Sequence, residues 1–138
     1  MNLSSANRYF ALQRNNFYLY TFETQATIVK SKLKKGNEMY SIIWRYEVKK
    51  KNQVRFETEY GKKGTWAKLF RDSDKYLGSF LHKNKDTTDI YLLIDTWTDE
   101  RSYEDFKHAN REAYDILCYK FEKLYEAEEK IGLFNLVQ

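Results

Sequence analysis

The segment Ile90–Trp97, with the sequence IYLLIDTW, constrains the fold of this chain more than any other segment. Its residues are nearly all apolar, and such a run is typical of a β-strand that is covered on both faces. Helices from the same chain can cover one face of a sheet. The second face then needs a cover of its own, from another segment or from another molecule.

Three further strands are predicted from the sequence. Tyr40–Val48 (YSIIWRYEV) and Lys75–Lys83 (KYLGSFLHK) combine β-branched or aromatic residues with alternation, and Gly78 indicates a bulge in the second of them. Leu133–Val137 is expected to form the last strand, directly after Gly132.

Helical segments are predicted between these strands. Gln53–Tyr60 has Asn before it and Gly after it, and Gly64–Ser73 forms a second short helical piece. A long helix begins at Thr98 or Asp99 and reaches about Lys130. The order is therefore β-α-β-β-α-β, which predicts an α+β, ferredoxin-like fold with one antiparallel sheet and both helices on one face.

The sheet face away from the helices carries large residues that this arrangement leaves uncovered. An exposed apolar patch of that size usually marks a partner surface. The simplest partner is a second copy, packed sheet to sheet about a two-fold axis. We therefore expect a homodimer.

The regular pattern spans residues 39–138, which is one domain. Residues 1–38 are expected to be an N-terminal extension with one strand-like stretch at 17–21 and a turn signature at 34–37. Met39 stands where the regular part begins, so translation can start at Met1 or at Met39.

Composition narrows the compartment and the partners. Cys118 is the only cysteine, so no internal disulfide can form, which fits a reducing compartment. No run is long enough to span a membrane, and the first residues do not form a signal peptide. The net charge is +4 with 20 acidic residues, and the lysine clusters at 32–35 and 49–51 suit solvated strand ends or loops. We expect a cytoplasmic protein without a membrane or nucleic-acid partner.

Two features allow either a ligand or a purely structural interpretation. The aromatic fraction of 17% suits packed interfaces and ligand pockets, but it also suits a coding bias toward Lys, Asn, Tyr and Ile. Asn110 lies on the apolar stripe of the long helix, with Phe106, Ala113, Leu117 and Phe121. Because a buried amide needs partners, it bonds either a ligand between helix and sheet or a backbone carbonyl.

Three pieces of sequence occur in a specific order: YGKKGTWAKLFRDSDKYLGSFL, then YLLIDTW, then a pattern ending in Ile131-Gly132 and Phe134. Together they resemble the antibiotic-biosynthesis-monooxygenase (ABM-like) group of the dimeric α/β-barrel superfamily, in an uncharacterised bacterial subgroup. The resemblance covers about residues 40–137. It departs from the group at Tyr125 and at Asp74-Lys75, which affects local turns. It implies a ferredoxin-like protomer and a dimer built on the sheet faces.

The resemblance also bears on activity. The group includes haem-degrading enzymes, but their strand Asn is missing here, and the positions of their helix Trp and His hold Phe106 and Ile116. Haem degradation is therefore disfavoured. The group also includes cofactor-independent oxygenases of aromatic polyketides, which must bind, deprotonate and shield an electron-rich substrate. The implied function is oxygenation of a small aromatic or polyketide-type molecule without a bound cofactor.

Seven residues are candidates for the pocket of such an oxygenase. They are Tyr60, Trp66, Trp97, Asn110, Asp95, Arg45 and His82. Each has a structural alternative. Trp66 has the helical spacing of a core residue, Asp95 can pair with Arg45 on a neighbouring strand, and His82 near a strand end suits the surface. If the structural interpretation holds throughout, the chain is instead a non-catalytic small-molecule-binding or structural dimer.

Other chemistries find little support in the sequence. The His and Cys residues are too few and too widely spaced for a zinc site, so no metal is expected. No Gly-rich phosphate loop follows a strand, and no nucleophile-elbow motif occurs. RNA-recognition domains share the element order, but their basic-glycine-aromatic signature is missing from the Ile90–Trp97 strand.

Overall fold

The computed structural model describes residues 39–137, so the predictions for residues 1–38 lie outside the described part. The strands are β1 (Tyr40–Glu47), β2 (Tyr76–Lys83), β3 (Ile90–Trp97) and β4 (Ala127–Asn135). The α-helices are α1 (Gln53–Tyr60), α2 (Thr65–Phe70), α3 (Glu100–Ala109) and α4 (Arg111–Phe121). Short 3-10 turns stand at Lys50–Asn52 and Glu122–Leu124.

The strands form one sheet in the order β2-β3-β1-β4, and each neighbouring pair is antiparallel. This order, together with the helices that connect β1 to β2 and β3 to β4, is the predicted α+β, ferredoxin-like fold. That prediction is confirmed. Within the described residues, no helix is long and apolar enough to cross a membrane.

Buried and half-buried side chains alternate strictly along β1, and this alternation shows on which side of the sheet the core lies. Tyr40, Ile42, Trp44 and Tyr46 are buried against the helices, whereas the residues between them are only half-buried. Side chains alternate between the faces of a strand, so this pattern separates a helix-facing side of the sheet from an open side. The core on the helix-facing side is mostly aromatic, and Phe56 stacks on Tyr60 with ring centroids 4.3 Å apart.

The prediction of one helix reaching Lys130 is wrong. The helical stretch breaks at Asn110, α4 ends at Phe121, and β4 already begins at Ala127. The Glu- and Lys-rich start of β4 has helical propensity, but β1 offers a free edge, and backbone pairing along it prevails. Gly132 therefore lies inside β4 rather than ending a helix.

Two more detailed predictions concern the bulge at Gly78 and the buried side of the long helical segment. The bulge predicted at Gly78 is confirmed: the register between β2 and β3 shifts there, and Gly78 has φ +147. Such a φ favours glycine because a side chain would be strained. On the long helical segment, Tyr114 and Cys118 are buried, whereas Leu117 is only partly buried. The buried stripe thus differs from the predicted one at Ala113 and Leu117, whereas Phe121 and Leu124 are buried as predicted.

The open side of the sheet is apolar along its middle. Phe80 is 45% exposed, Leu92 40% and Phe134 47%, and Ile43 and Ile94 lie half-buried between them. We call these five residues the open-face patch. Large apolar side chains clustered in this way on the surface of one protomer usually mark an interaction site.

Candidate functional site

The structure separates the seven candidate residues into three places. Tyr60, Trp66, Trp97 and Asp95 lie buried on the helix-facing side, Asn110 lies at the α3–α4 junction, and Arg45 and His82 lie on the open side. The single pocket that the sequence suggested is thus divided between the core, a helix junction and a surface.

Tyr60 and Trp66 are core residues in the described structure. Each is 1% exposed, and their ring centroids are 6.0 Å apart. Trp66 also contacts Tyr114 at 5.5 Å and Phe121 at 6.3 Å between centroids. These rings fill the space between α1, α2 and α4. Trp66 is therefore packed as a core residue is, which agrees with its structural alternative.

Asn110 joins α3 to α4. It is the C-cap of α3 and the N-cap of α4, with φ −117 and ψ 25, outside the helical region. Its side-chain Nδ2 donates to the Phe106 carbonyl oxygen at 3.0 Å. Of the two partners considered for this amide, the backbone carbonyl is therefore the one observed.

Asp95 is the buried polar centre of the site. Its side chain points to the helix-facing side and is 2% exposed, and its Oδ1 accepts a hydrogen bond from the Ser79 hydroxyl. The Tyr76 hydroxyl in turn donates to Ser79 Oγ at 2.7 Å. The result is a hydroxyl relay, Tyr76–Ser79–Asp95, which connects β2 to β3 below the helices. Buried polar groups of this kind are stabilised only when they are bonded.

Sequence reasoning missed Ser79 and Tyr76. Ser79 lies directly opposite Asp95 in the β2–β3 register, but that register depends on the bulge. The signal that could have found the relay was Gly78 itself, because an extra residue there turns Tyr76 and Ser79 to the same face.

Aromatic rings surround Trp97 next to this relay. Trp97 is fully buried and lies 5.4 Å from Tyr76, 5.5 Å from Phe70, 5.6 Å from Tyr103 and 5.4 Å from Phe106, measured between ring centroids. We call these five residues the Trp97 cluster. The indole Nε1 of Trp97 is buried and has no hydrogen-bond partner within residues 39–137. The Trp97 cluster therefore consists of aromatic rings, and the indole Nε1 of Trp97 is a buried donor that is available to a further group.

Arg45 does not pair with Asp95. In the β1–β3 register, Arg45 is opposite Leu92, whereas Asp95 is opposite Ile42 on the other side of the sheet. His82 is also opposite Leu92, from β2. Arg45 and His82 therefore flank the open-face patch and belong to that surface, not to the interior.

The N-terminus of α3 forms the rim of a groove of about 480 Å3, lined by Asp99, Glu100, Arg101 and Asn135. Asp99 caps α3, because its Oδ1 accepts from the Ser102 backbone N–H at 2.7 Å. Burial acts to raise the pKa of Asp99, but hydrogen bonds from Ser102 and Thr98 outweigh it, so the pKa lies below its usual value.

Tyr40 lies close to this groove. Its cross-strand neighbour Asn135 lines the groove, and its hydroxyl is buried without a hydrogen-bond partner in the described range. Burial raises the pKa of Tyr40, and the carboxylates of Glu100 and Glu104 raise it further. Tyr40 is thus a neutral phenol at physiological pH. Within residues 39–137, no three His, Cys, Asp or Glu side chains group as metal ligands would.

Comparison with known proteins gives likenesses among solved structures only. No family model and no curated protein matches the chain. A variant of SnoaB, a cofactor-independent oxygenase from Streptomyces nogalater, is 17% identical, with a TM-score of 0.48 over 72% of this chain and 94% of that one. A provisionally named antibiotic biosynthesis monooxygenase from Chloroflexus aurantiacus is 11% identical, with a TM-score of 0.48 over 72% and 94%.

A provisionally named monooxygenase from Fusobacterium nucleatum is also 11% identical, with a TM-score of 0.45 over 74% of this chain and 49% of that one. This chain thus spans about half of its length. Similarity at this level does not extend to substrate or catalytic residues, because one fold serves many functions.

Proposed function

We propose that this chain is an ABM-like monooxygenase that acts as a homodimer, without a bound cofactor, on a small aromatic or polyketide-type molecule. The observation that carries the proposal is the Asp95 carboxylate, which is 2% exposed and hydrogen-bonded to Ser79 beside the Trp97 cluster. A carboxylate held among aromatic side chains is suited to removing a proton from a phenol or an activated CH2 group.

The chemistry needs three contributions from the protein. Asp95 takes the substrate proton, and the relay through Ser79 and Tyr76 orients its carboxylate. The electron-rich anion then reacts with O2: one oxygen atom enters the substrate, the other leaves as water, and the substrate supplies the electrons. The apolar rings exclude bulk water from this anion. Trp97 Nε1, which has no other partner within residues 39–137, donates to a substrate oxygen in this proposal.

Access to Asp95 is through α3 in this proposal. Tyr103 and Phe106 of α3 contact Trp97 from the side opposite the sheet. α3 is separated from α4 by the non-helical residue Asn110, and the proposal requires α3 to move away from Trp97 at this junction. Movements of this kind at a helix end are a common route to a closed site.

The homodimer in the proposal is supported by the open-face patch and by the group that the motifs resemble. Arg45 and His82 flank the patch and would provide polar contacts at its rim. An isologous contact between two such faces would cover the apolar residues of both copies at once.

A second candidate function is a non-catalytic dimer, and the packing of Tyr60 and Trp66 favours it. Both residues are 1% exposed and fill the region beside α4 that a substrate would otherwise occupy. In this alternative, the aromatic residues only build the core, and the Asp95 relay only joins β2 to β3.

Oxygen uptake with a panel of anthrones and quinols separates the two functions. The oxygenase proposal expects turnover by the wild type and a loss of about 100-fold or more in Asp95→Asn, the size expected for a general base. Asp105→Asn is the matched control, since Asp105 is an exposed carboxylate on α3 with a surface ion pair to Arg101. If the wild type neither consumes oxygen nor shows quenching of its Trp fluorescence by any substrate, the non-catalytic dimer is the better account.

A further inference from the structure

The open side of the sheet consists of rows of residues that lie directly opposite one another across the strands. Each row runs from the edge strand β2 through β3 and β1 to the edge strand β4. Residues opposite each other share one face of a sheet, so a row crosses the open side from edge to edge. Three consecutive rows, in that strand order, are Gly78, Thr96, Ser41 and Phe134; Phe80, Ile94, Ile43 and Gly132; and His82, Leu92, Arg45 and Glu129.

The two ends of each row are complementary to each other. The first two rows have a Phe at one edge and a Gly at the other, and the order is reversed between the rows. Phe80 is 45% exposed and Phe134 is 47% exposed. The third row ends in the His82 imidazole on β2 and in the Glu129 carboxylate on β4, and both residues are exposed. An imidazole N–H can donate to a carboxylate whether the ring is neutral or charged.

Each Phe ring lies over the glycine that precedes it by two residues. A Cβ atom added to Gly132 would be 3.0 Å from Cζ of Phe134, and one added to Gly78 would be 3.4 Å from Cζ of Phe80. The Phe80 ring is therefore displaced into the Gly78 row, and the Phe134 ring is displaced into the Gly132 row. Because the two rings occupy different rows, the edge that carries one ring has room for the other ring beside it.

The polar groups of the third row have no side-chain partner in the protomer. Within residues 39–137, the side chains of His82, Arg45 and Glu129 take part in no hydrogen bond or ion pair. His82 and Glu129 lie three inter-strand spacings apart, which is about 14 Å, so they do not reach each other in one chain. A donor and an acceptor at opposite edges of one face can instead pair between two copies of that face.

We propose that two copies pack open side to open side about a two-fold axis that runs along the strands, between β3 and β1. The inference rests on the homodimer proposed above and specifies its geometry. The axis places β2 on the partner's β4 and β1 on the partner's β3, so that every strand of both copies is covered. His82 then donates to the partner's Glu129, and symmetry forms the same bond a second time. At each edge, Phe80 packs beside the partner's Phe134.

The His82–Glu129 row distinguishes this axis from the other axis that lies in the plane of the interface. A two-fold axis across the strands would place β2 on the partner's β2 and β4 on the partner's β4. His82 would then face the partner's β2 edge, which has no carboxylate in these three rows, and Glu129 would remain unpaired. The axis along the strands gives both groups a partner.

Charge exchange between the two edges tests the arrangement on the full chain. Sedimentation equilibrium gives the dissociation constant of the dimer for the wild type, for His82→Glu, for Glu129→Lys and for the variant that carries both substitutions. Both positions are exposed, and far-UV circular dichroism verifies that each variant is folded. Glu112→Lys is the matched control, because Glu112 is exposed on α4, away from the open side.

The proposal expects His82→Glu to raise the dissociation constant about tenfold or more, because carboxylates then face each other in both symmetry-related contacts. Glu129→Lys should weaken the dimer less, since the lysine faces an imidazole that is largely neutral at neutral pH. The double variant should regain most of the wild-type affinity, because each introduced carboxylate meets an introduced ammonium group of the partner. Glu112→Lys should leave the affinity unchanged.

The outcomes separate this arrangement from the homodimer itself. A dimeric wild type with equal dissociation constants in all variants would overturn the axis along the strands and leave the homodimer in place. A double variant that dimerises no more tightly than His82→Glu would do the same. A wild type that is monomeric at micromolar concentrations would overturn both the arrangement and the homodimer.

Discussion

The Tyr76 hydroxyl donates a 2.7 Å hydrogen bond to Ser79 although the two residues are three positions apart on one strand. In a regular strand, such a spacing places side chains on opposite faces. The register shift at Gly78 adds one residue to β2, so both side chains point toward the helices. The bond to Asp95, and with it the buried relay, exists because of this bulge.

Gly78→Ala should therefore destabilise both the fold and the relay. Gly78 has φ +147, a conformation that costs a non-glycine residue on the order of 1–3 kcal/mol. We expect the free energy of unfolding, measured with urea, to fall by about that amount. Gly132→Ala is the control, because its added Cβ meets only the flexible end of Phe134, and φ at Gly132 is not in this region. Equal losses in both variants would contradict a special role for the bulge.

Ser79→Ala should weaken the buried relay directly. It removes the donor to Asp95 Oδ1, and the loss of a hydrogen bond to a buried carboxylate costs about 1.5–3 kcal/mol. Chemical unfolding of Ser79→Ala and Tyr76→Phe, singly and together, measures how strongly the two hydroxyls are coupled. Ser41→Ala, on the open side of the sheet, should change stability by less than about 0.5 kcal/mol. Independent, additive losses would show that the two hydroxyls do not form one relay.

Trp66→Ala distinguishes a core residue from a pocket wall. Because Trp66 is 1% exposed and packed against Tyr60 and Tyr114, its truncation should cost about 3–5 kcal/mol. Tyr119→Ala removes an aromatic ring that is 79% exposed and should be nearly neutral. A thermal melt compares the two. A nearly unchanged Tm for Trp66→Ala would contradict the packed core and favour an open crevice at this position.

The Asp99 cap predicts a specific dependence of stability on pH. The pKa of Asp99 is lowered in the folded protein, so its contribution is complete above the unfolded pKa of about 3.9 and is lost as the pH falls through the lower, folded value. Asp99→Ala should thus cost about 1 kcal/mol at neutral pH, with the difference from the wild type shrinking in acid.

Asp99→Asn is the matched control for this cap. An Asn side chain caps a helix nearly as well as Asp but does not titrate, so this variant should retain most of the stability at neutral pH. Urea unfolding at several acidic pH values gives the comparison. A constant difference between the wild type and Asp99→Ala across the acid range would show that the Asp99 charge is not responsible.

The parts of this fold that follow from local pattern were predictable from the sequence. The alternation of β1, the apolar run of β3 and the bulge at Gly78 each carry a residue-level signal. The strand β4 does not, because its Glu and Lys residues favour a helix until β1 offers backbone partners. The relay could not be predicted either, because Ser79 lies opposite Asp95 only in the observed register between β2 and β3.

In the candidate site, too, features with a local sequence signal could be predicted, and features that depend on strand register could not. That Trp66 is packed in the core could be predicted from its helical spacing, and the carbonyl partner of Asn110 was one of two interpretations. The proposed pair of Asp95 with Arg45 failed because a shift of one residue in register moves a side chain to the other face. Composition and local pattern do not determine that register.

The open-face patch gives the account its most direct test. Sedimentation equilibrium of the full chain measures its molar mass in solution. A dimer is expected if two copies cover the apolar residues Phe80, Leu92 and Phe134. The account predicts a molar mass of twice the 16.7 kDa of one chain, and dissociation by Leu92→Lys, which places a charge within the patch. A wild-type molar mass of 16.7 kDa at micromolar concentrations would contradict it.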